Sequence, residues 1–346
     1  MTERGRYDTI FLISTPIQYL MARLIVSAYF PGRHLAVVYR DGHDFRPIFD
    51  EIDARFLGPS PFDYMGFDEA LASDLPRPKR LFISYRFYRF AVETYYRFKP
   101  EILCAYEDGF SLHIDHDYGN KSMHDRNPRY VISDAIKAVA RATGLKPSAR
   151  PKFVRLNRFQ EVYSVFPDVV GFKAGTPHFS TRQAFKDNLF KPESQNTGQG
   201  ECLFLSQPLS NLGMMTDPEY LRLLEAILAD LSTRYDRVYF KPHPRDGEAV
   251  MSVIAGQPKC VPLPEFYSRM PAEFYLGHYP ATDVYGFMSS TLFYVPAVFG
   301  TKAYTLAPLL DRWPGGNEKL RDYWQAMKPL LTKADVHDYA PEIVNR

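Results

Sequence analysis

The sequence has few of the features typical of disulfide-linked or polyanion-binding proteins. Its 346 residues include only three cysteines, Cys104, Cys202 and Cys260, and none forms a CxxC pair. An odd number of scattered cysteines argues against a disulfide framework and fits a reducing compartment. The formal net charge is only +2, so the composition indicates no general affinity for nucleic acid.

The N-terminal apolar run is also short. MTERGRYDTIFLIS begins with charged residues, and its apolar part is too short to span a membrane. No small-residue cleavage site follows it, so we expect a cytoplasmic protein whose first strand lies here. The sequence has no P-loop, GxGxxG motif, Ser-His-Asp set or zinc-ligand spacing, which disfavours kinase, dehydrogenase, hydrolase and zinc-site functions.

Aromatic residues, by contrast, are abundant, with 24 Tyr and 26 Phe. Part of this content lies in residues 77–90, where basic and aromatic side chains are interleaved. Such a segment fits a strand and helix with core aromatics and solvated arginines. It also fits a peripheral contact with the anionic inner face of the cytoplasmic membrane. We favour the first interpretation.

The length and the local patterns predict two α/β domains. A chain of 346 residues suits two domains of roughly 150 residues each. Strand-like and helix-like segments alternate in both halves, which predicts parallel sheets with ligands at the carboxyl ends of the strands. We predict an N-terminal Rossmann-like domain over residues 1–195 and a C-terminal one over 201–316. The polar segment 191–200 links them, and a helix in 317–346 is placed to cross back to the first domain.

Three polar clusters each follow a predicted strand. They are Glu107-Asp108-Gly109, Lys241-Pro242-His243-Pro244, and Ser289-Ser290-Thr291 with Gly286 just before it. The first cluster lies in the first half of the chain, and the other two lie in the second half. We expect the two domains to face each other across a cleft that brings the clusters together.

These residue types suit a glycosyl transfer. A carboxylate at a strand end, Glu107 or Asp108, can take the proton of an acceptor hydroxyl. His243, fixed between two prolines, can as a protonated imidazole donate to a phosphate oxygen or act as a general acid, and Lys241 adds positive charge. The serine-rich turn opens a helix whose free N–H groups suit phosphate, and Gly286 lets a nucleotide approach the backbone. Each motif alone also fits a structural role as an acidic turn, a rigid turn or a helix cap.

In this order, EDG, KPHP and GFMSSTL resemble the motifs of bacterial sialyltransferases of the GT-B type, namely D/E-D/E-G, HP and Ser-Ser/Thr. The opening STPIQYL resembles the start of lipooligosaccharide sialyltransferases and capsular polysialyltransferases. Pro271-Ala272-Glu273 is similar to a P-x-E segment of that family. The motifs together are far more specific than any one of them.

The resemblance implies a GT-B fold and an inverting transfer of sialic acid, or a related nonulosonic acid, from a CMP-sugar to a surface glycan such as lipooligosaccharide or capsule. It implies no cofactor and no metal, because protein groups neutralise the leaving phosphate. Glu107 would be the general base with Asp108 in support, and His243 would assist the leaving group. The other implied contacts are Lys241, Pro244, Gly286, Ser289, Ser290 and Thr291 with the donor, Glu273 with its ribose or cytosine, Ser206 and Gln207 more weakly with the donor, and Thr15 and Gln18 on the acceptor side.

Three other functions stay open. A CMP-Kdo or other CMP-nonulosonate transferase would make the same demands on the site. Asp115-His116-Asp117 matches the DxD metal clamp, with His113 and His124 nearby, so a metal-dependent glycosyltransferase inhibited by EDTA is a second alternative. A glycan-binding protein that keeps the fold without the chemistry is the third.

Overall fold

A computed structural model describes residues 7–39, 45–84, 89–109, 112–113, 158–166, 175–189, 200–279, 281, 283–312 and 318–339. The chain divides into two compact units, Met1–Thr181 and Arg182–Arg346. Within the described ranges, no helix is both long and apolar enough to cross a bilayer.

The first unit contains a seven-stranded sheet in which every neighbouring pair of strands is parallel. The strand order is β3-β2-β1-β4-β5-β6-β7. Its elements are β1 (Thr9–Ile13), α1 (Pro16–Tyr29), β2 (His34–Val38), α2 (Arg46–Ile52) continued by a π-helical turn (Asp53–Leu57), β3 (Phe62–Gly66), α3 (Phe67–Ala72), β4 (Arg80–Ile83), α4 (Arg89–Phe98), β5 (Ile102–Tyr106), β6 (Glu161–Ser164) and β7 (His178–Ser180).

The second unit contains a six-stranded sheet, also parallel throughout, in the order β10-β9-β8-β11-β12-β13. Its elements are α5 (Arg182–Leu189), β8 (Glu201–Leu205), α6 (Asp217–Arg234), β9 (Arg237–Lys241), α7 (Glu248–Ala255), β10 (Cys260–Pro262), α8 (Glu265–Arg269), α9 (Ala272–His278), β11 (Asp283–Gly286), α10 (Ser290–Tyr294) continued by a π-helical turn (Val295–Phe299), β12 (Lys302–Thr305), α11 (Ala307–Arg312), α12 (Glu318–Lys333) and β13 (Val336–Asp338).

Much of the aromatic content lies in the two cores. Phe11 of β1 stacks on Phe82 of β4 with ring centroids 4.1 Å apart, and Phe204 of β8 stacks on Phe240 of β9 at 5.6 Å. All four rings are fully buried, where aromatic pairs add to the free energy gained from buried area. In the interleaved segment 77–90 the apolar residues of β4 are therefore core residues, as the favoured interpretation expects. Residues 85–88 of that segment lie outside the described residues.

The division between the units falls at Thr181, before the predicted boundary at residue 195. The intervening helix α5 belongs to the second unit because its apolar side chains pack there. Phe185 and Leu189 are fully buried, and the Phe185 ring lies 5.6 Å from that of Tyr294. The predicted linker at 191–199 lies outside the described residues.

The C-terminal helix α12 is grouped with the second unit, where it packs against α10, α11 and β13. Its predicted return to the first domain stays a prediction. The edge strands β3, β7 and β13 are not apparent in the sequence pattern. Each has only three to five residues with partial burial, so the alternation that would indicate a strand is too brief to see.

Candidate active site

In the first unit one side chain joins the ends of three neighbouring strands. Gln18 lies in the first turn of α1, where the Thr15 hydroxyl caps the helix by accepting from the Gln18 backbone N–H at 3.3 Å. The Gln18 carboxamide accepts from the Ser14 N–H at 2.7 Å and donates to Ser84 Oγ at 2.7 Å and to Asp108 Oδ2 at 2.9 Å. Gln18 is 4% exposed. It therefore holds Asp108 in place at the carboxyl edge of the sheet.

Glu107, the residue after β5, is fully buried. Its backbone N–H donates to the Tyr163 carbonyl at 3.0 Å, which extends the pairing of β5 with β6. Its carboxylate accepts from the Val165 N–H through Oε2, and Oε1 lies 3.1 Å from His113 Nε2. The His113 ring packs edge-on against Phe166. Both carboxylate oxygens thus face protein groups.

Asp108 differs from Glu107 in access, because its side chain is only partly buried. The turn continues through Gly109, whose φ of 113° favours glycine. The structure brings the predicted residues Gln18 and Asp108 into direct contact, while Thr15 acts as a helix cap. The assignment of the general base to Glu107 stays a prediction, and Asp108 is the more open carboxylate of the pair.

In the second unit, β9 ends at Lys241 and runs into a turn that fixes His243. The Arg245 backbone N–H donates to His243 Nδ1 at 3.1 Å, so the neutral ring carries its proton on Nε2. Asp246 Oδ2 accepts from the His243 N–H at 2.8 Å, and the Asp246 N–H donates to the His243 carbonyl at 2.9 Å. Pro244, predicted to contact the donor, is exposed in this turn.

The pKa of His243 is lowered from its ordinary value. Burial is the main cause, the charges of Arg245 and Lys241 act in the same direction, and the charge of Asp246 opposes them. Protonating Nδ1 would also break its bond with the Arg245 N–H. The geometry and the pKa direction agree that His243 is a neutral ring with a fixed Nε2–H donor near pH 7, rather than the imidazolium that the sequence suggested.

Two ionisable groups lie beside this turn, Lys241, which is partly exposed, and Glu273, which is buried. Lys241 Nζ donates to the Ser268 carbonyl at 3.1 Å, and burial lowers the pKa of Lys241 to about 8 against the opposing charges of Glu273 and Asp246. Glu273, at the start of α9, is 2% exposed. Burial raises the pKa of Glu273, while a hydrogen bond from Thr291 and the charge of Lys241 lower it. The carboxyl predicted to approach ribose or cytosine thus lies close to Thr291, and its contact with the nucleotide stays a prediction.

The serine-rich turn forms the helix start that its sequence predicts. Ser289 is the N-cap of α10, and its hydroxyl accepts from the Thr291 N–H at 3.3 Å. Ser289 and Ser290 are partly exposed, whereas Thr291 is buried. The hydroxyls of the first two residues are therefore the accessible ones at this end of the sheet.

Gly286 is the last residue of β11, and it has a packing role. A Cβ at this position would lie 3.3 Å from Leu205 Cβ and 3.5 Å from Leu292 Cδ1. Close packing between β8, β11 and α10 therefore accounts for the glycine, and the predicted approach of a nucleotide to its backbone stays a prediction.

Of the weaker candidates, Ser206 connects the end of β8 to α6, and Gln207 connects the ends of two strands within the second unit. Ser206 is 7% exposed and its hydroxyl lies 2.9 Å from the Tyr220 hydroxyl. Gln207 Oε1 accepts from the Met288 N–H, which joins the residues after β8 to those after β11. Both side chains hold the carboxyl edge of the sheet together.

Sequence reasoning missed two functional candidates. Asp246 stands three residues after His243, where an acidic side chain can close a turn on the preceding N–H, and this spacing is a usable signal. His113 was noted only as a metal-ligand candidate, whereas the structure places it against Glu107.

Of the metal-site residues, Asp115, Asp117 and His124 lie outside the described residues. Among the residues that the structure does describe, no three His, Cys, Asp or Glu side chains are grouped to hold a metal ion.

Comparisons with known proteins agree with this architecture. The family model for alpha-2,8-polysialyltransferase matches residues 1–307. A structure described as a UDP-N-acetylglucosamine 2-epimerase from Listeria monocytogenes is similar, with a TM-score of 0.54, 11% identity, and coverage of 98% of this chain and 94% of that one. The S. aureus MnaA–UDP structure has a TM-score of 0.51, 9% identity, and coverage of 98% and 93%.

At such identities the structural likeness concerns the fold alone, and it confirms the GT-B fold class with two Rossmann-like halves. No curated protein matches the chain in sequence.

Proposed function

The chain belongs to the alpha-2,8-polysialyltransferase family, and we propose on that basis that it moves sialic acid from a CMP-linked donor to a surface-glycan acceptor such as lipooligosaccharide or capsule. It is a glycosyltransferase of the sialyltransferase type. The proposal adds to this the CMP-linked donor, a single inverting displacement and independence from metal ions.

The reaction is a displacement at the anomeric carbon of the sialic acid. An acceptor hydroxyl oxygen attacks this carbon as the bond to the phosphate oxygen of CMP breaks, and the configuration inverts. The hydroxyl proton passes to a carboxylate, and CMP leaves with the electron pair of the broken bond. The enzyme must therefore supply a base on the acceptor side and charge neutralisation on the donor side.

The Glu107–Asp108 pair supplies the base. Glu107 is the member that the family resemblance assigns, yet its carboxylate is buried against Val165 and His113. Asp108 is more open, and Gln18 fixes one of its oxygens. A base needs access to the acceptor as well as a fixed orientation. Separate variants of Glu107 and Asp108 therefore test which carboxylate is the base.

The observation that carries the proposal is the fixed Nε2–H of His243 beside the Lys241 ammonium. The phosphate of a CMP-sugar carries one negative charge, and it gains a second as the bond to the sugar breaks. The Lys241 ammonium, the neutral Nε2–H donor and the accessible hydroxyls of Ser289 and Ser290 are the groups that would stabilise this developing charge. A diphosphate leaving group carries more charge and is commonly neutralised by a divalent cation.

The direct test is a donor screen. The purified protein is incubated with an acceptor glycan and with CMP-Neu5Ac, CMP-Kdo or UDP-sugars, and nucleotide release is measured with and without EDTA. We expect acceptor-dependent CMP release from CMP-Neu5Ac, unchanged by EDTA. Release from CMP-Kdo alone would select the other CMP-nonulosonate function. Release of UDP, or a loss in EDTA that Mn²⁺ restores, would select the DxD alternative, and binding without release would select the glycan-binding one.

We place the enzyme in the cytoplasm, and a peripheral contact with the inner face of the membrane is the less favoured interpretation of segment 77–90. All three cysteines are free thiols, and Cys104 and Cys202 are buried, which fits a reducing compartment. The membrane contact rests on the basic and aromatic residues of segment 77–90. Cell fractionation tests both, because a peripheral protein leaves the membrane fraction in high salt.

A further inference from the structure

The turn after β9 contains an acidic residue, Asp246, that forms two hydrogen bonds with the backbone of His243. The turn is closed in both directions, since Asp246 accepts from the His243 N–H through Oδ2 at 2.8 Å and donates its own N–H to the His243 carbonyl at 2.9 Å. Between them, Arg245 donates its N–H to His243 Nδ1 at 3.1 Å. Three hydrogen bonds within four residues thus fix the backbone and the ring of one histidine.

The second carboxylate oxygen of Asp246 is directed inward. Oδ1 is buried and has no hydrogen-bond partner among the residues that the structure describes. The charge of Asp246 acts on Lys241 of β9 and Tyr220 of α6 as well as on His243. Asp246 is therefore a negative charge held inside the donor-side cluster, and the backbone bond through Oδ2 fixes its position.

We propose that Asp246 is the positioning residue of His243, holding the turn so that the Arg245 N–H occupies Nδ1 and the ring presents Nε2–H to the leaving phosphate. This inference rests on the proposed function for the identity of the ligand. The logic is that of other functional histidines, in which the partner of one ring nitrogen decides what the other nitrogen can do.

Two variants of Asp246 distinguish its two roles, which are to close the turn and to supply a negative charge. Asp246→Asn keeps an oxygen that accepts from the His243 N–H but removes the charge. Asp246→Ala removes both. Glu225→Gln is the matched control, because Glu225 is an exposed acidic residue of α6 in the same unit.

The readouts are the pH profile of kcat/KM for CMP release and the nitrogen NMR spectrum of the His243 ring in the full chain. The groups that act on His243 are Asp246, Arg245 and Lys241. The charge of Asp246 favours the imidazolium, so its removal lowers the pKa of His243. We expect the acid limb of the profile to move to lower pH in both variants.

The variants should differ on the plateau of that profile. Asp246→Asn should keep most of the plateau activity and the Nε2–H tautomer, while Asp246→Ala should lose about 10- to 100-fold, the loss seen when metal-bound histidines lose their hydrogen-bond partners. Glu225→Gln should change neither readout.

Two results would overturn the proposal. One is an Asp246→Ala enzyme with wild-type plateau and tautomer. The other is an equal loss in Asp246→Asn and Asp246→Ala with no movement of the acid limb, which would indicate a purely structural role. If the wild-type protein releases no CMP from any donor, the proposed function fails instead, and the His243 spectrum of Asp246→Ala still decides whether Asp246 fixes the ring.

Discussion

Replacing Lys241 with methionine should stabilise the ligand-free protein while it weakens the proposed donor site. Lys241 is only partly exposed, and burial lowers its pKa from 10.5 to about 8. A protein that binds an anion keeps such a partly buried ammonium at a cost in stability, because the site is unfavourable for the charge until the anion arrives. Methionine has a similar length and no charge.

The magnitude follows from the pKa. At ~1.4 kcal/mol per pKa unit, a fall from 10.5 to about 8 corresponds to about 3.5 kcal/mol against the folded state below pH 8. Losing the hydrogen bond to the Ser268 carbonyl offsets about 1 kcal/mol of the gain. We therefore expect Lys241→Met to raise the free energy of unfolding by about 2.5 kcal/mol at pH 7.

The sign of the pH dependence is distinctive. Between pH 8 and 10.5 the unfolded chain still binds the proton that folded Lys241 has released, so Lys241 makes the wild-type free energy of unfolding rise with pH in this window. The advantage of Lys241→Met should shrink through the same window. Denaturant titrations of both proteins at pH 7 and pH 10 measure this difference, and Lys302→Met, at an exposed lysine of β12, is the matched control.

A variant that is less stable than wild type at pH 7, by an amount that does not change with pH, would contradict the expected cost of the Lys241 charge. It would mean that Lys241 is a net stabilising group of the unit. The same variant should bind the CMP-sugar more weakly, which appears as a raised KM in the CMP-release assay.

Two further predictions concern residues at the carboxyl edges of the two sheets, Gln18 and Gly286. Gln18→Leu should lower kcat/KM by about tenfold, because Asp108 loses the amide donor that orients it. An unchanged kcat/KM in a fully folded variant would mean that Gln18 does not orient Asp108 for the reaction. Gly286→Ala should cost about 1 kcal/mol of unfolding free energy, because the new Cβ would lie 3.3 Å from Leu205. A loss of donor binding without a loss of stability would instead support the predicted approach of the nucleotide to this backbone.

The sequence pattern predicts the parts of the fold that repeat and the parts of the site that are contiguous. Runs such as Thr9–Ile13 and Ile102–Tyr106 are apolar and bounded by turn-forming residues, so they predict buried parallel strands. Glu107 and His243 each follow such a run, and the structure puts both at strand ends. Local patterning suffices for these features.

The cross-chain contacts could not be predicted in the same way. Gln18 and Asp108 are 90 positions apart, and only the sheet order β1-β4-β5 brings them together. The burial of individual side chains could not be predicted either. The motif EDG does not indicate that Glu107 is buried while Asp108 is partly exposed. Helix α5 belongs to the second unit because Phe185 packs there, and no local sequence pattern predicts this packing.

The proposed transfer is tested by the rate of CMP release from CMP-Neu5Ac, with acceptor, for wild type, Glu107→Gln, Asp108→Asn and His243→Ala. We expect release by the wild type and a loss of about 100-fold or more in His243→Ala and in whichever carboxylate variant removes the base. Wild-type rates in all three variants, or no CMP release by the wild type, would contradict it.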